Sequence, residues 1–150
     1  MLAELDPDQE LPDAIYLASL DHAVMPEEIA FRDVLVFHRD CLNGGLDQAI
    51  FNRENTEQAL APVLGAYRSM GLSTVASLID EASILWRSEG DLDELTDRYV
   101  QFTYGGNNDR PDAVERAVVR YAQLHEPAFT SIVTAVKRGD FKTFDFGGFG

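Results

Sequence analysis

Apolar residues recur at helical spacing along almost the whole chain, and no other feature restricts the fold as strongly. The clearest stretch lies between Ser73, its predicted cap, and Gly90, and contains Val75, Leu78, Ile79, Ala82, Leu85 and Trp86. Steps of three or four residues place these side chains on one face of an α-helix, whereas the alternation typical of strands is not sustained anywhere. We therefore predict an all-α fold of about seven or eight helices. A length of 150 residues suggests one compact domain spanning 1–150.

Glycine and proline divide this pattern into separate helices. Pro26 is predicted to open a long helix, because proline is tolerated in a first turn. The Asn-Gly-Gly string at 43–45 is expected to break that helix, with one of its glycines at a positive φ that other residues rarely adopt. Gly71, Gly90 and Gly139 are predicted to end three later helices.

The net charge of −14, from 26 acidic and 12 basic residues, is unevenly distributed. Residues 1–30 contain eight acids and no lysine or arginine, and residues 80–97 contain seven acids against Arg87. These two segments, at −8 and −6, carry the whole excess of negative charge. Nucleic acid and anionic membrane surfaces would be repelled by such a chain, so neither is an expected partner.

Several features predict a cytoplasmic protein. The longest apolar runs fall far short of the roughly 20 residues that a membrane span needs. The first thirteen residues are acidic and lack the basic region of a signal peptide, so none is expected. Cys41 is the single cysteine, which excludes a disulfide framework and favours a buried, reduced thiol.

No transferable catalytic motif is found, so we expect neither an enzyme nor a metal or other cofactor. His22, His38 and His125 do not have the spacing of metal ligands, and no glycine pair is followed by the Lys-Ser/Thr of a phosphate-binding loop. His38 lies on an apolar stripe, which favours a hydrogen-bonded core histidine. A ligand or acid–base role is the alternative.

The acidic segments have two interpretations. Carboxylates keep proteins soluble, and those at a helix N-terminus stabilise the helix whatever the function. Their concentration in two segments instead indicates a surface that binds a basic protein, because a solubility device could be spread evenly. The candidate partner-binding carboxylates are Glu27, Glu28, Asp80, Glu81, Glu89, Asp91, Asp93, Glu94 and Asp97.

The segment Cys-Leu-Asn-Gly-Gly-Leu-Asp-Gln-Ala-Ile-Phe-Asn at 41–52 resembles the signature of the bacterial DNA-mimic-protein-like family. The resemblance covers about residues 14–137, although Leu46, Ala49 and Ile50 stand where the family usually has aromatic residues. It implies an all-α fold. In the characterised member it also implies an acidic surface that imitates the DNA phosphates and occupies DNA-binding proteins.

The motif itself is predicted to be structural. Its members with assigned roles are Asn43, Gly44, Gly45, Asp47, Gln48, Phe51 and Asn52. The first three are expected to form a tight turn between helices. The polar side chains of Asp47, Gln48 and Asn52 would bond backbone groups that the turn leaves free, and Phe51 would anchor the following short helix.

Three functional hypotheses follow. The first is an acidic protein-binding module that mimics DNA and occupies the DNA-binding surface of a basic partner such as a transcription factor. The second is an immunity-like or antitoxin-like inhibitor of a basic enzyme, which an acidic patch beside an exposed apolar one would favour. The third is a small-molecule-binding helical domain or enzyme with a site assembled from Asp47, Gln48, His38 and Tyr67, which a pocket lined by the motif would favour.

The tail, residues 139–150, is rich in phenylalanine and glycine and has no helical period. We expect Phe141 and Phe144 either to dock onto the helical body or to contact a second copy in a homodimer.

Overall fold

The computed structural model describes residues 1–53, 57–104 and 112–142, and all regular structure within these ranges is helical. Its α-helices are α1 (Asp13–His22), α2 (Pro26–Asn52), α3 (Glu57–Ser69), α4 (Ser73–Arg87), α5 (Asp93–Tyr104), α6 (Ala113–Leu124) and α7 (Thr130–Arg138). Two short 3-10 helices span Leu2–Glu4 and Glu126–Phe129. The predicted all-α class and number of helices are confirmed.

Helix α2 occupies the centre of the bundle, and α1, α3, α4, α5 and α6 pack around it. Its fully buried side chains therefore lie on more than one face and include Phe31, Val34, Leu35 and Phe37. The ring of Phe31 meets Phe129 edge to face at 5.3 Å between centroids, which fixes the beginning of α2 against the 3-10 helix before α7. Each such buried side chain stabilises the fold by about 1.5–3 kcal/mol.

The break in α2 lies at Gly45, which has φ +83° and ψ 176°, and this confirms the prediction for the Asn-Gly-Gly string. The N–H of Leu46 donates a hydrogen bond to the hydroxyl of Thr96 on α5 at 3.1 Å. A Cβ atom on residue 45 would lie 2.8 Å from Oδ1 of Asp47 and 3.4 Å from Oγ1 of Thr96. Glycine is thus required both by the backbone conformation and by the close approach of α5.

Replacing Gly45 with alanine is expected to lower the free energy of unfolding by about 1–2 kcal/mol, because the left-handed region is strained for any residue with a Cβ. Gly65 in α3 provides a matched control, since a Cβ added there meets open space. Gly65→Ala should raise stability by up to about 1 kcal/mol through helix propensity. Denaturant unfolding measures both variants, and effects of the same sign would contradict this account of the turn.

The predicted helix ends are confirmed at Gly71 and Gly139, which have φ of +78° and +66°. The helix before Gly90 also ends as predicted, at Arg87, although the left-handed residue there is Glu89, at φ +59°. Gly90 is needed for another reason. Its N–H donates to the carbonyl of Leu85 at 2.8 Å, and a Cβ on residue 90 would overlap the Leu85 side chain.

The first aromatic residue of the tail docks onto the helical body, which is one of the two expected arrangements. Phe141 is half-buried and packs against the core. Phe144 lies outside the described residues. No helix in the described ranges is long and apolar enough to cross a membrane.

Candidate partner-binding surface

The acidic residues of segment 80–97 lie on α4, on α5 and on the connection between these two helices, which pack against each other. We call them the α4–α5 acidic surface, which consists of Asp80, Glu81, Glu89, Asp91, Asp93, Glu94 and Asp97, all exposed. The apolar stripe of α4 and the corresponding residues of α5, such as Leu95 and Tyr99, are buried. The carboxylates therefore occupy the opposite, solvent-facing sides of both helices.

Ion pairs found between described residues join Asp33 to Arg32 and Arg53, while Asp112 and Asp140 lie beside His38 and His22. None of them includes a member of the α4–α5 acidic surface. Asp93 and Asp97 are one turn apart on α5, so their Cβ atoms are neighbours at roughly 5–6 Å. The surface thus presents closely spaced negative charges to solvent.

The connection between α4 and α5 is ordered by backbone hydrogen bonds. The N–H of Glu89 donates to the carbonyl of Trp86 at 3.0 Å, alongside the Gly90 bond to Leu85, so α4 ends in a Schellman motif. Oδ1 of Asp91 then accepts from the N–H of Asp93 at 2.9 Å and orients the start of α5.

Glu89 occupies the position of that motif at which glycine is usual. A left-handed conformation costs a residue with a Cβ about 1 kcal/mol or more relative to glycine. Non-glycine residues in such conformations are concentrated at functional sites. The position instead carries an exposed carboxylate within the α4–α5 acidic surface.

We expect Glu89→Gly to raise the free energy of unfolding by about 0.5–1 kcal/mol, since glycine relieves the backbone strain. Glu89→Gln removes the same charge and leaves the strain, so it should change stability little. Thermal unfolding of the two variants separates the conformational effect from the electrostatic one. Equal stabilisation by both substitutions would mean that charge repulsion, and not the backbone, destabilises this position.

The prediction that Glu28 belongs to a partner-binding surface is wrong. Its side chain is completely buried. Oε1 accepts from the N–H groups of Val24 and Met25 at 3.2 and 3.0 Å, and Oε2 accepts from the N–H of Ile132 at 2.8 Å. Glu28 therefore caps its own helix and also satisfies a backbone donor in α7, because three backbone N–H groups converge there.

Glu27 is only half-buried and lies near the beginning of α2. It is close to Tyr121 on α6, and its charge adds to the effect of burial in raising the pKa of Tyr121. The α2 axis between Glu27 and the break at Gly45, where α5 packs, is roughly 25 Å long. Glu27 is thus remote from that contact with α5.

The acids that precede α1 form a second exposed group, on a different part of the bundle. They are Glu4, Asp6, Asp8 and Glu10, and all four are exposed. The side-chain amide of Gln123 on α6 donates to the carbonyls of Leu2 and Leu5 at 3.0 and 2.8 Å and fixes this segment against α6. The two acidic segments of the sequence are therefore held by different helices.

The polar residues of the motif act mainly on one another. The Gln48 side chain donates to that of Asn52 at 2.8 Å, and Asn43 and Asp47 are exposed. The backbone N–H of Leu46 at the break donates instead to the hydroxyl of Thr96, a residue that the sequence did not indicate. The prediction that Phe51 anchors the short helix is wrong, because its side chain is 64% exposed and contacts the edge of Trp86.

His38 belongs to a buried hydrogen-bonded chain. Its Nδ1 lies 2.8 Å from the hydroxyl of Tyr99, and its Nε2 lies 2.8 Å from Oδ2 of Asp112. The Tyr99 hydroxyl is also 2.8 Å from that of Tyr67. Burial raises the pKa of both tyrosines well above 10, so their hydroxyls stay protonated at neutral pH. This arrangement confirms a hydrogen-bonded core histidine and ties α2, α3, α5 and α6 together.

Asp112 holds this chain at the start of α6. Its Oδ1 accepts from the N–H of Glu115 at 2.8 Å and caps the helix. Burial acts to raise the pKa of Asp112, but the hydrogen bond from His38 and those from two backbone N–H groups outweigh it and hold the pKa below its usual 3.8. Cys41 is also buried, and burial raises the pKa of its thiol.

The four residues proposed for a small-molecule site do not come together. His38 and Tyr67 are enclosed in the core, whereas Asp47 and Gln48 are exposed beyond the break in α2. Within the described residues, no group of three or more His, Cys, Asp or Glu side chains is placed to hold a metal ion. The geometry therefore leaves the α4–α5 acidic surface as the principal candidate for function.

Fold and surface together define the class: an all-helical protein that presents a carboxylate-rich face on two packed helices. The chain belongs to the DMP19-like protein family, whose model matches residues 23–135. That match begins just after α1, includes segment 41–52 and the α4–α5 acidic surface, and ends within α7. Neither the curated proteins nor the solved structures contain a match to the chain.

Proposed function

We propose that this protein acts by binding rather than catalysis, and that its α4–α5 acidic surface mimics DNA and occupies the DNA-binding surface of a basic protein. The observation that carries the proposal is a set of seven exposed carboxylates on α4, α5 and the connection between them, none of which belongs to the ion pairs found between described residues. Membership of the DMP19-like family supports it. A transcription factor in the cytoplasm is a suitable partner, because its DNA-binding surface is already complementary to closely spaced negative charge.

A second candidate is an inhibitor of a basic enzyme, in the manner of an immunity protein or antitoxin. It is favoured by the exposed apolar side chains of Ile84, on the same helix as Glu81, and of Phe51, whose ring contacts Trp86 near the end of that helix. An inhibitor interface combines apolar and charged contacts, whereas a phosphate array is purely charged. The two candidates share an acidic surface and differ in whether DNA competes for the partner.

The acidic surface is tested by removing charge from two residues on α5. The partner is captured from an extract of the source organism, purified, and titrated with the wild-type chain over a range of salt concentrations. Asp93→Asn with Asp97→Asn should weaken binding about ten- to hundredfold at low salt and flatten the decline of the association rate with salt, because exposed charges act over a Debye length of about 8–10 Å. Asp93 and Asp97 are preferred to Asp91, which also orients the start of α5.

The matched control removes two charges elsewhere. Glu4→Gln with Glu10→Gln changes the net charge equally, in the acidic segment that packs on α6. It should lower affinity much less than the α5 pair. If both double variants weaken binding equally, then net charge alone governs the interaction and the α4–α5 acidic surface has no special role.

A further inference from the structure

Two aromatic side chains remain accessible where the ends of α2 and α4 meet. Phe51 is 64% exposed, and its ring meets that of Trp86 at 6.4 Å between centroids with the planes at 70°. Large apolar side chains grouped on a surface mark interaction sites more often than isolated ones do. We call Phe51 and Trp86 the aromatic patch.

The aromatic patch borders the α4–α5 acidic surface directly. An open cleft of about 610 Å³ is lined by Trp86, Arg87, Glu89 and Gly90, so one carboxylate of the acidic surface and one arginine line the same cleft as the tryptophan. An aromatic side chain and charged groups are therefore presented side by side.

The break at Gly45 explains why Phe51 faces outward. The residues after the break pack through Leu46, Ala49 and Ile50, which are all fully buried. Phe51 follows directly on Ile50 and so turns away from the core, towards the end of α4. Within the described residues, the aromatic contact of Phe51 is the half-buried Trp86, and this contact leaves most of the Phe51 side chain exposed.

Charge decides which occupant fits this patch. A second copy of the chain would bring an identical set of carboxylates against those of the first, and like charges brought together in an interface oppose association. A basic protein segment would instead place lysine or arginine beside Glu89 and an apolar side chain on the rings. Aromatic residues in the centre of an interface, surrounded by charged groups, carry much of the binding energy of protein complexes.

We propose that the aromatic patch is an apolar docking site for a basic, amphipathic helix of the partner. This inference rests on the proposed function and deepens it. The patch adds to the charged contacts a component that salt does not screen, and it selects among basic proteins those that carry an apolar side chain between their positive charges. The phosphate backbone of duplex DNA has no such apolar patch. The protein would therefore distinguish between basic proteins that bind DNA equally well.

Two synthetic helical peptides of equal positive charge test the proposal. One has lysine and arginine with leucines along one helical face, and the other has serine and glutamine in place of those leucines. Wild-type protein should bind the leucine peptide at least about tenfold more tightly at 0.5 M salt, where charged contacts are largely screened. Trp86 is the single tryptophan, so its emission should shift to shorter wavelength with the leucine peptide and stay unchanged with the other.

The deciding variant is Phe51→Ser, whose exposed side chain can be changed with little effect on folding, as thermal unfolding verifies. It should abolish the preference for the leucine peptide while leaving binding of the charge-only peptide within about twofold. Leu124→Ser is the matched control, since Leu124 is 80% exposed near the end of α6, and it should keep the preference.

Each other outcome overturns a defined part of the account. Equal binding of the two peptides by wild-type protein, at all salt concentrations, would overturn the docking site and leave the acidic surface standing. Failure to bind either peptide at low salt would overturn the proposed function, and with it this inference. A dimer in sedimentation experiments that Phe51→Ser dissociates would identify a second copy as the occupant and so contradict the proposal.

Discussion

Replacing Glu28 with alanine is expected to lower the free energy of unfolding by about 3–5 kcal/mol, a large part of the stability of an ordinary domain. The substitution leaves the N–H groups of Val24, Met25 and Ile132 without their acceptor. Since the bond to Ile132 is buried and Glu28 itself is completely enclosed, water cannot replace the carboxylate without opening the contact between α2 and α7. Denaturant unfolding measures the loss.

Two further variants make this test specific. Glu81→Ala removes a glutamate of the same size from the exposed face of α4 and should change stability by no more than about 0.5 kcal/mol. Glu28→Gln keeps the shape but turns a donor towards one of the backbone N–H groups, so it should also be strongly destabilising. A loss in Glu28→Ala no greater than that in Glu81→Ala would show that the carboxylate does not join α2 to α7.

The second large effect is expected at Asp112. Replacement by alanine removes the cap of α6 and the partner of His38 together and should cost about 2–4 kcal/mol at neutral pH. Asparagine retains a good cap, so Asp112→Asn should lose only the part that depends on the carboxylate charge. Comparing the two variants by thermal unfolding apportions the stability between the helix cap and the buried hydrogen-bonded chain.

The pH dependence of Asp112→Asn follows from the lowered pKa. Because the folded pKa of Asp112 lies below its usual 3.8, its contribution to stability is fully present above that value and is lost as the pH falls through the folded pKa. The difference in free energy of unfolding between wild type and Asp112→Asn should therefore be constant from about pH 5 upward and shrink below about pH 4. A difference that stays constant down to pH 2 would contradict an ionised, hydrogen-bonded Asp112.

The helices themselves could be predicted because their determinants are local. The apolar stripe of α4 falls at regular helical steps, and Gly71 and Gly139 stop their helices where a positive φ is needed. The residue that takes the left-handed conformation at the end of α4 could not be predicted. The backbone hydrogen bonds place that conformation at Glu89, one residue before the glycine. Glycine would adopt the left-handed conformation at this position with less strain, but a residue with a Cβ can also adopt it.

The site could be predicted only in part, for a related reason. Exposure of the acids on α4 and α5 follows from the positions of the apolar residues between them. The burial of Glu28 depends on Ile132, 104 residues away, and the partners of His38 are 61 and 74 residues away. The direction of Phe51 depends on how the chain turns at Gly45. Such contacts are made by the packing of helices, which helical spacing does not determine.

The most direct test of the proposed DNA mimicry is competition for the purified basic partner. Labelled duplex DNA that the partner binds is held at a fixed concentration, and the acidic protein is titrated in at physiological salt. The account predicts mutually exclusive binding: the protein displaces the DNA completely, and raising the DNA concentration raises the apparent Kd of the protein in proportion. A ternary complex, in which the partner binds this protein and DNA together with no loss of affinity for either, would contradict the account.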